Sequence, residues 1–418
     1  MNNNMIPEKF RRQTHPIINK EIESSVKKQL HEDISIYDNG GIYKEVEAKL
    51  KELFPRKYIL TTCNGTSALY TMFFGANIQR GDEVIVPAYT FFATASPLFQ
   101  LGALPILADC GENGNIDPIS IEKKITKNTK AVVVTHMWGI PCDMENISRL
   151  CKKHNILLLE DCSHAHGATI KDNVVGTTYS DAAAWSLQGK KLLTSGEGGF
   201  IATDYQIIFE RAVLLGHFNK RAKKEVFDPN LKEFFVTGLG GNLRMHPLGA
   251  AILRPQLNHF KQQLEERRET ARMMDNELMN IDGLAPVKFS SEYNPAWYAY
   301  PIIFDQSKFT IPINDFVEEY KKLGALEADI PGSTCPLNRF PLFMEPWKVL
   351  QDYTNFKDQM AVNNEGFPNA DKFHSTMFKL PTWYGKDRKN IVKSHMSALK
   401  QLIIRYQRHK VDDKDEKL

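Results

Sequence analysis

The sequence predicts an α/β protein, with a seven-stranded, mostly parallel sheet between helical layers and a smaller C-terminal α+β domain. Between residues 58 and 203, short apolar segments recur at 58–62, 84–87, 104–108, 131–135, 156–160, 182–187 and 199–203, separated by helical or loop stretches. Ala131-Val-Val-Val134 and Ile156-Leu-Leu-Leu159 are apolar at successive positions, as strands covered on both faces must be. A long amphipathic stretch over 256–279 follows, and after it the segments become shorter and mixed in type.

Taken in order, Ile18, Ile22, Val26 and Leu30 repeat every four residues and predict an amphipathic helix. Ile42, Val46, Leu50 and Phe54 predict a second, closed by Pro55. Asp38-Asn-Gly-Gly41 between them reads as a turn, since Asn and Gly tolerate positive φ. The sheet segments come next. The long helix carries Leu257, Phe260, Leu264, Ala271 and Leu278 on one side and the charged run Glu265 to Glu269 in the solvent. Segments 296–304, 315–323 and 390–405 belong to the smaller domain, and the Asn-, Asp- and Lys-rich stretch 352–373 reads as an exposed, mobile loop. The expected division is an arm and helix over 1–30, a large domain over 31–262, a small domain over 263–410 and a charged tail over 411–418.

Composition narrows the function classes. The 53 Lys+Arg and 50 Asp+Glu leave a formal charge of +3, which gives no electrostatic reason to expect nucleic acid or a membrane surface as partner. No apolar run reaches the length of a membrane span, and the start lacks the order of a signal peptide, so a cytoplasmic protein is expected. The six cysteines form no C-x-x-C pair and no zinc-like spacing; reduced structural thiols and no metal are expected.

Ligands of such sheets lie beyond the carboxyl ends of the strands, and four signals fall there. Thr61-Thr-Cys-Asn-Gly-Thr-Ser-Ala68 follows a strand and opens a helix, where small residues let backbone N–H groups face an anion; an ordinary cap by Asn64 or Thr66 explains it equally well. Glu160 and Asp161 place two carboxylates at a strand exit, suited either to holding a heterocyclic nitrogen protonated or to a cap or salt bridge; His164 follows three residues later. Trp185-Ser-Leu-Gln-Gly-Lys-Lys-Leu-Leu-Thr-Ser-Gly-Glu-Gly-Gly199 carries two lysines, either of which becomes a nucleophile toward a carbonyl if burial lowers its pKa. Gly240-Gly-Asn-Leu-Arg-Met-His-Pro247 gathers Asn242, Arg244 and His246 before a helix.

Together these segments resemble the sugar aminotransferases of the DegT/DnrJ/StrS type, fold-type I enzymes that use pyridoxal 5′-phosphate (PLP). The markers are Asn64-Gly-Thr-Ser-Ala-Leu69, Gly81-Asp-Glu-Val-Ile-Val-Pro87 with Thr90-Phe91, Glu160-Asp-Cys-Ser-His-Ala-His-Gly167, Ser186 through Gly199, and Gly241-Asn-Leu-Arg-Met245. In this family the Schiff-base lysine lies five residues after a serine and five before the first glycine of the Gly-Glu-Gly-Gly turn, and Ser186 and Gly196 both select Lys191 over Lys190.

The same matching implies that Asp161 binds the pyridine nitrogen and His164 lies near the phenolic oxygen. It implies that Gly65, Thr66 and Ser186 hold the phosphate and that Phe91 stacks on the ring. Asn242, with Arg244, then reaches the phosphate region of a neighbouring subunit, which implies a homodimer with shared sites. The implied reaction moves an amino group from glutamate or glutamine to the ketone or aldehyde of a keto-sugar or cyclitol, for a surface polysaccharide or secondary metabolite. Ser186-Leu-Gln188 resembles the branch acting on cyclitols and antibiotic precursors.

Two departures bear on the acceptor: Pro247-Leu-Gly-Ala250 where many relatives carry Gln, and Pro336-Leu-Asn338 where many carry a histidine, so Asn338 is expected to face substrate. Family dehydratases carry histidine in place of the lysine, which Lys191 opposes. A silent PLP-binding regulator would not need both Asp161 and Lys191, and no early G-x-G-x-x-G supports a nicotinamide enzyme.

Overall fold

The computed structural model describes residues 5–13, 15–279 and 281–408. The seven expected strands form one sheet: β1 (Tyr58–Thr62), β2 (Glu83–Pro87), β3 (Leu104–Ala108), β4 (Thr129–Thr135), β5 (Leu157–Asp161), β6 (Ala182–Ser186) and β7 (Gly199–Thr203). Their order is β1-β7-β6-β5-β4-β2-β3, and only β7 runs antiparallel to its neighbours. Val132, Val133 and Val134 in β4 are fully buried, so the continuous apolar run follows from a strand covered on both faces. Strand β5 lies one residue later than the periodicity predicts, which brings Asp161 into the sheet. Across it, Thr135 pairs with Asp161, and Thr62, Gly199 and Ser186 stand in register.

Helix α1 (Lys20–Leu30) buries Ile22 but leaves Leu30 exposed and starts after Ile18, whereas α2 (Gly41–Leu53) buries Ile42, Val46 and Leu50 as its pattern predicts. Helix α3 (Gly65–Gly75) follows β1 directly.

The long helix, α4 (Pro247–Leu278), begins nine residues before the expected 256, because it runs through Pro255. A proline inside a helix leaves the carbonyl four residues earlier without its donor. Here that carbonyl, of Ala251, accepts a hydrogen bond from the Ser25 hydroxyl of α1 at 2.7 Å. The start is set by Pro247 in the first turn and by His246, whose Nδ1 accepts from the Leu248 amide at 3.1 Å.

Beyond α4, a three-stranded antiparallel sheet, β8 (Leu284–Pro286), β9 (Ala299–Phe304) and β10 (Met377–Pro381), packs with α5 (Ile313–Lys322) and α6 (Arg388–Tyr406). The tail expected over 411–418 lies outside the described residues. Among the described residues no helix is long and apolar enough to cross a membrane.

The stretch 352–373 differs from the expected exposed loop. It folds into short helical turns that bury Tyr353, Met360, Phe367 and Phe373. Its polar letters do structural work, because Asn363 is fully buried against the edge strand β3. Asn363 Oδ1 accepts from the Leu107 amide and Nδ2 donates to the Pro105 carbonyl, each at 2.9 Å, so a side-chain amide pairs with an otherwise open edge. Asn363→Ala leaves two buried backbone groups unpaired and is expected to cost about 2 kcal/mol, read as a lower midpoint of urea unfolding. An unchanged midpoint would contradict this packing.

Candidate active site

The carboxyl ends of β1, β4, β5 and β6 converge on a cavity of about 670 Å³. At its floor, Asn64 caps α3 by accepting from the Ser67 amide at 2.7 Å. The Gly65 and Thr66 amides belong to the first turn and have no intrahelical acceptor. A Cβ at Gly65 would lie 2.5 Å from Ser186 Cβ, so only glycine lets the helix start approach the end of β6 this closely.

Asp161, 4% exposed, ends β5. Its Oδ2 accepts from the Thr94 hydroxyl at 2.8 Å and its Oδ1 from the Ser163 amide at 3.0 Å. Thr94 in turn lies 2.9 Å from the Thr90 hydroxyl and 3.1 Å from that of Thr135, so three threonines fix the carboxylate.

Lys191 is buried in the same cavity, while Lys190 is exposed. Burial lowers the Lys191 amine from 10.5 to about 8, against the opposing pull of the Asp161 charge. Its Nζ lies 4.2 Å from the centre of the Tyr298 ring. Tyr298 stacks on the His164 imidazole at 4.0 Å and 9°. Burial, and then the Lys191 charge, hold His164 well below its usual pKa, so the ring is neutral; its buried Nδ1 has no partner in the protein.

The model of the DegT/DnrJ/EryC1/StrS aminotransferase family matches residues 16–394. The chain belongs to this family. The enzyme is 28% identical over 397 residues to GDP-perosamine synthase of Vibrio cholerae, covering 92% of this chain and all of that one. It is 37% identical over 269 residues to dTDP-3-amino-3,6-dideoxy-alpha-D-galactopyranose transaminase of Aneurinibacillus thermoaerophilus, covering 64% and 70% of the two chains. The solved aminotransferase of Psychrobacter cryohalolentis shares the fold with a TM-score of 0.80 at 25% identity, over 94% of this chain and 99% of that one. The family is PLP-dependent.

The residues present fit that cofactor. Two free amides at a helix start suit a phosphate, and a buried carboxylate suits a protonated ring nitrogen. His164 Nδ1, buried without a partner in the protein, and the buried amine of Lys191 add two further polar groups to the set.

Of the residues singled out from sequence, the fold brings Gly65, Thr66, Phe91, Asp161, His164, Ser186 and Lys191 to this cavity. Phe91, 37% exposed, forms part of its wall. Asn242, Arg244 and Asn338 are not among the lining residues. Asn242 pairs with His217, and the Arg244 guanidinium lies 5.1 Å from the Tyr37 ring and 5.5 Å from that of Phe218. Asn338 lies in the turn Leu337–Arg339, its Oδ1 buried without a partner, while the preceding Ser333 and Thr334 reach the cavity.

Glu160 points away from the site. It accepts from His136 Nε2 at 2.8 Å and from the Gly176 amide at 2.8 Å, while His136 Nδ1 accepts from the Cys142 amide at 3.0 Å. Both imidazole nitrogens are thereby committed within the buried His136, Glu160 and Cys162 group, while Glu160 Oε1 has no partner.

Sequence reading missed Thr94, Trp138 and Tyr298. Thr94 had a signal, since Thr90 and Thr94 lie one helical turn apart beside the quoted Thr90-Phe91 marker. Tyr298 had none, because it reaches the site only through folding of the region after α4. Trp138 and Trp297 both adopt left-handed backbone, φ 59° and 55°, a strain of about 1–3 kcal/mol each for bulky residues. The Tyr298 amide donates to the Trp138 carbonyl at 2.9 Å, which fastens this strained pair together beneath the ring stack.

In the apoprotein, labelling of Lys191 by an amine reagent, followed by peptide mass spectrometry, is expected to rise with a midpoint near pH 8. Asp161→Asn removes the charge that favours the ammonium and moves the midpoint lower. A wild-type midpoint near 10.5 would contradict the buried environment.

Proposed function

We propose that this aminotransferase moves an amino group from glutamate or glutamine to the ketone or aldehyde carbon of a keto-sugar or cyclitol, in amino-sugar biosynthesis for a surface polysaccharide or secondary metabolite. The observation that carries the reading is the burial of the Lys191 amine and the Asp161 carboxylate in one cavity beside the free first-turn amides of α3. The names of the two relatives, both referring to nucleotide-linked amino sugars, support a sugar acceptor.

In this reading Gly65 and Thr66 bind the phosphate through their amides and Ser186 through its hydroxyl. Phe91 forms the aromatic wall against the ring, and His164, neutral, is placed toward the phenolic oxygen. Asp161 holds the proton on the pyridine nitrogen, with its own orientation set by Thr94. PLP, when bound, supplies the carbonyl that takes up the amine and a ring that accepts the electron pair released at the donor Cα. Lys191 would provide the amine that anchors the cofactor and, as a free base, would take up the proton from the donor Cα and return it on the cofactor side. Its depressed pKa leaves far more free base near neutrality than an ordinary lysine has, which a proton carrier needs. Asn338 is assigned to the acceptor side, four residues beyond Thr334 on the cavity wall.

The reading includes a cytoplasmic homodimer. Phe227, Phe234, Val236 and Leu239 are 48–63% exposed in the same stretch as Asn242 and Arg244, an apolar surface suited to a second copy. Asn242 and Arg244 then serve the partner's cavity rather than their own. Residues 31–262 act as the cofactor-holding domain, 263–410 as the small domain and 1–30 as an arm whose helix α1 packs on α4.

Purified wild type with added PLP is expected to show a long-wavelength band that borohydride reduces onto Lys191, and glutamate or glutamine is expected to bleach it. Lys191→Ala should give no covalent adduct. A reducible adduct on Lys190 would overturn the lysine assignment, and a bound cofactor unresponsive to any amino acid would overturn transfer. Co-expressed Lys191→Ala and Asn242→Ala chains are expected to form hybrids that regain turnover from one intact site. No gain over either parent would overturn the shared site.

A further inference from the structure

The two-lysine segment leaves one lysine without a role. Lys190 is exposed and lines a second cavity of about 680 Å³ that adjoins the first, the two sharing Gln188, Lys190, Tyr298, Asp329 and Lys379 on their walls. Each lobe alone is of a size that holds a small organic ligand, about 300–1,000 Å³, so the pair accommodates a substrate that extends well past its reacting carbon.

The second lobe is cationic. Arg12, Lys190, Arg267, Lys321 and Lys379 line it, against Glu327 and Asp329. Lys379 is paired with Asp329 at 3.3 Å, and Lys321 with Glu318 at 2.8 Å. Glu327 accepts from the Gln13 amide at 3.2 Å, and burial pushes its carboxyl up toward the neutral form. Among the described residues no carboxylate lies within ion-pair distance of Arg12, Lys190 or Arg267.

Arg267 is the unusual member. It is 2% exposed, and its guanidinium donates to the Trp297 carbonyl and the Thr382 hydroxyl and lies 3.4 Å from His15 Nε2, while Nε is buried without a partner. All of these partners are neutral: burial, then the Arg267 charge, lowers His15 to about 3. A buried guanidinium without a counter-charge is costly unless an anion completes it.

We propose that the second lobe is an anion subsite for a carboxylate or phosphate carried by the substrate whose reacting carbon lies at Lys191, with Lys190 and Arg267 as its principal charges. The inference rests on the proposed function above and adds to it a recognised group and its place. Guanidinium and ammonium groups around one opening suit an oxyanion, and that group then fixes the reach from the subsite to the reacting carbon.

The test titrates PLP-loaded holoenzyme calorimetrically with two probes, glutarate as a dicarboxylate without an amine and inorganic pyrophosphate as a phosphate anion. At least one is expected to bind wild type, and Lys190→Gln is expected to weaken it about tenfold, with Lys190→Arg largely restoring it. Lys190 is exposed, so its variants do not depend on core packing; Arg267→Lys, which keeps a charge but loses the fork, should also weaken binding. In turnover, Lys190→Gln should act mainly through KM of the anionic substrate. Loss of glutarate binding assigns the subsite to a donor carboxylate, loss of pyrophosphate binding to a phosphate on the acceptor, and loss of both to either group. Absence of binding to wild type, or equal binding by Lys190→Gln, overturns the subsite. The borohydride-reducible band on Lys191 is measured in the same samples. Its absence would overturn the functional reading, whereas an intact band with no anion effect overturns the subsite alone.

Discussion

Two opposite charges taken out of water beside one another set the terms for the rest of this molecule. A buried ammonium or carboxylate alone is strongly disfavoured, and each here lowers the cost of the other. The carboxylate partner must therefore stay still. Asp161 is held at a strand end and by the Thr94 hydroxyl, which is itself tied to Thr90 and Thr135 from two further segments. The parallel sheet brings those segments to one edge, which explains why a chain with such ordinary composition concentrates its chemistry there.

The sheet was legible because burial on both faces leaves a local trace: a strand such as β4 must be apolar at every position, whatever it packs against. Limits were less legible. Asp161 read as the residue after a strand, since two successive carboxylates mark a strand exit, yet its backbone pairs with β6. Helix α4 starts nine residues before the expected 256 and runs through Pro255, a local stop signal whose compensating donor lies more than two hundred residues away in α1. The stretch 352–373 looked like solvent-facing loop for a similar reason. Asn363 is polar by composition but apolar in setting, with both ends of its amide satisfied by β3.

The site divides in the same way. Residues in contiguous motifs at strand ends, such as Gly65, Asp161, Ser186 and Lys191, carry their meaning in sequence order. Tyr298 and Arg267 do not. The first is one aromatic among several, the second one of two arginines in a run that reads as a solvated helix face, yet Arg267 is almost wholly buried. Helical periodicity places a residue on a face but says nothing of what later folds over that face, here Trp297 before β9, Thr382 after β10 and the segment around His15.

The Ser25 hydroxyl at the Ala251 carbonyl also shapes how this chain can change over generations. Ser25 matters because Pro255 removes a donor, and Pro255 is tolerable because Ser25 supplies one; with any other residue at 255 the helix closes its own bond and the serine is released from that duty. The two positions are thus epistatic, and the order of substitution counts. Losing the proline first relaxes the constraint on 25 to its burial and its bond from Arg254, whereas losing the serine first crosses a valley. A residue that looks like a helix breaker has in effect recruited a distant guardian, and lineages that carry the proline without a donor at position 25 should be rare.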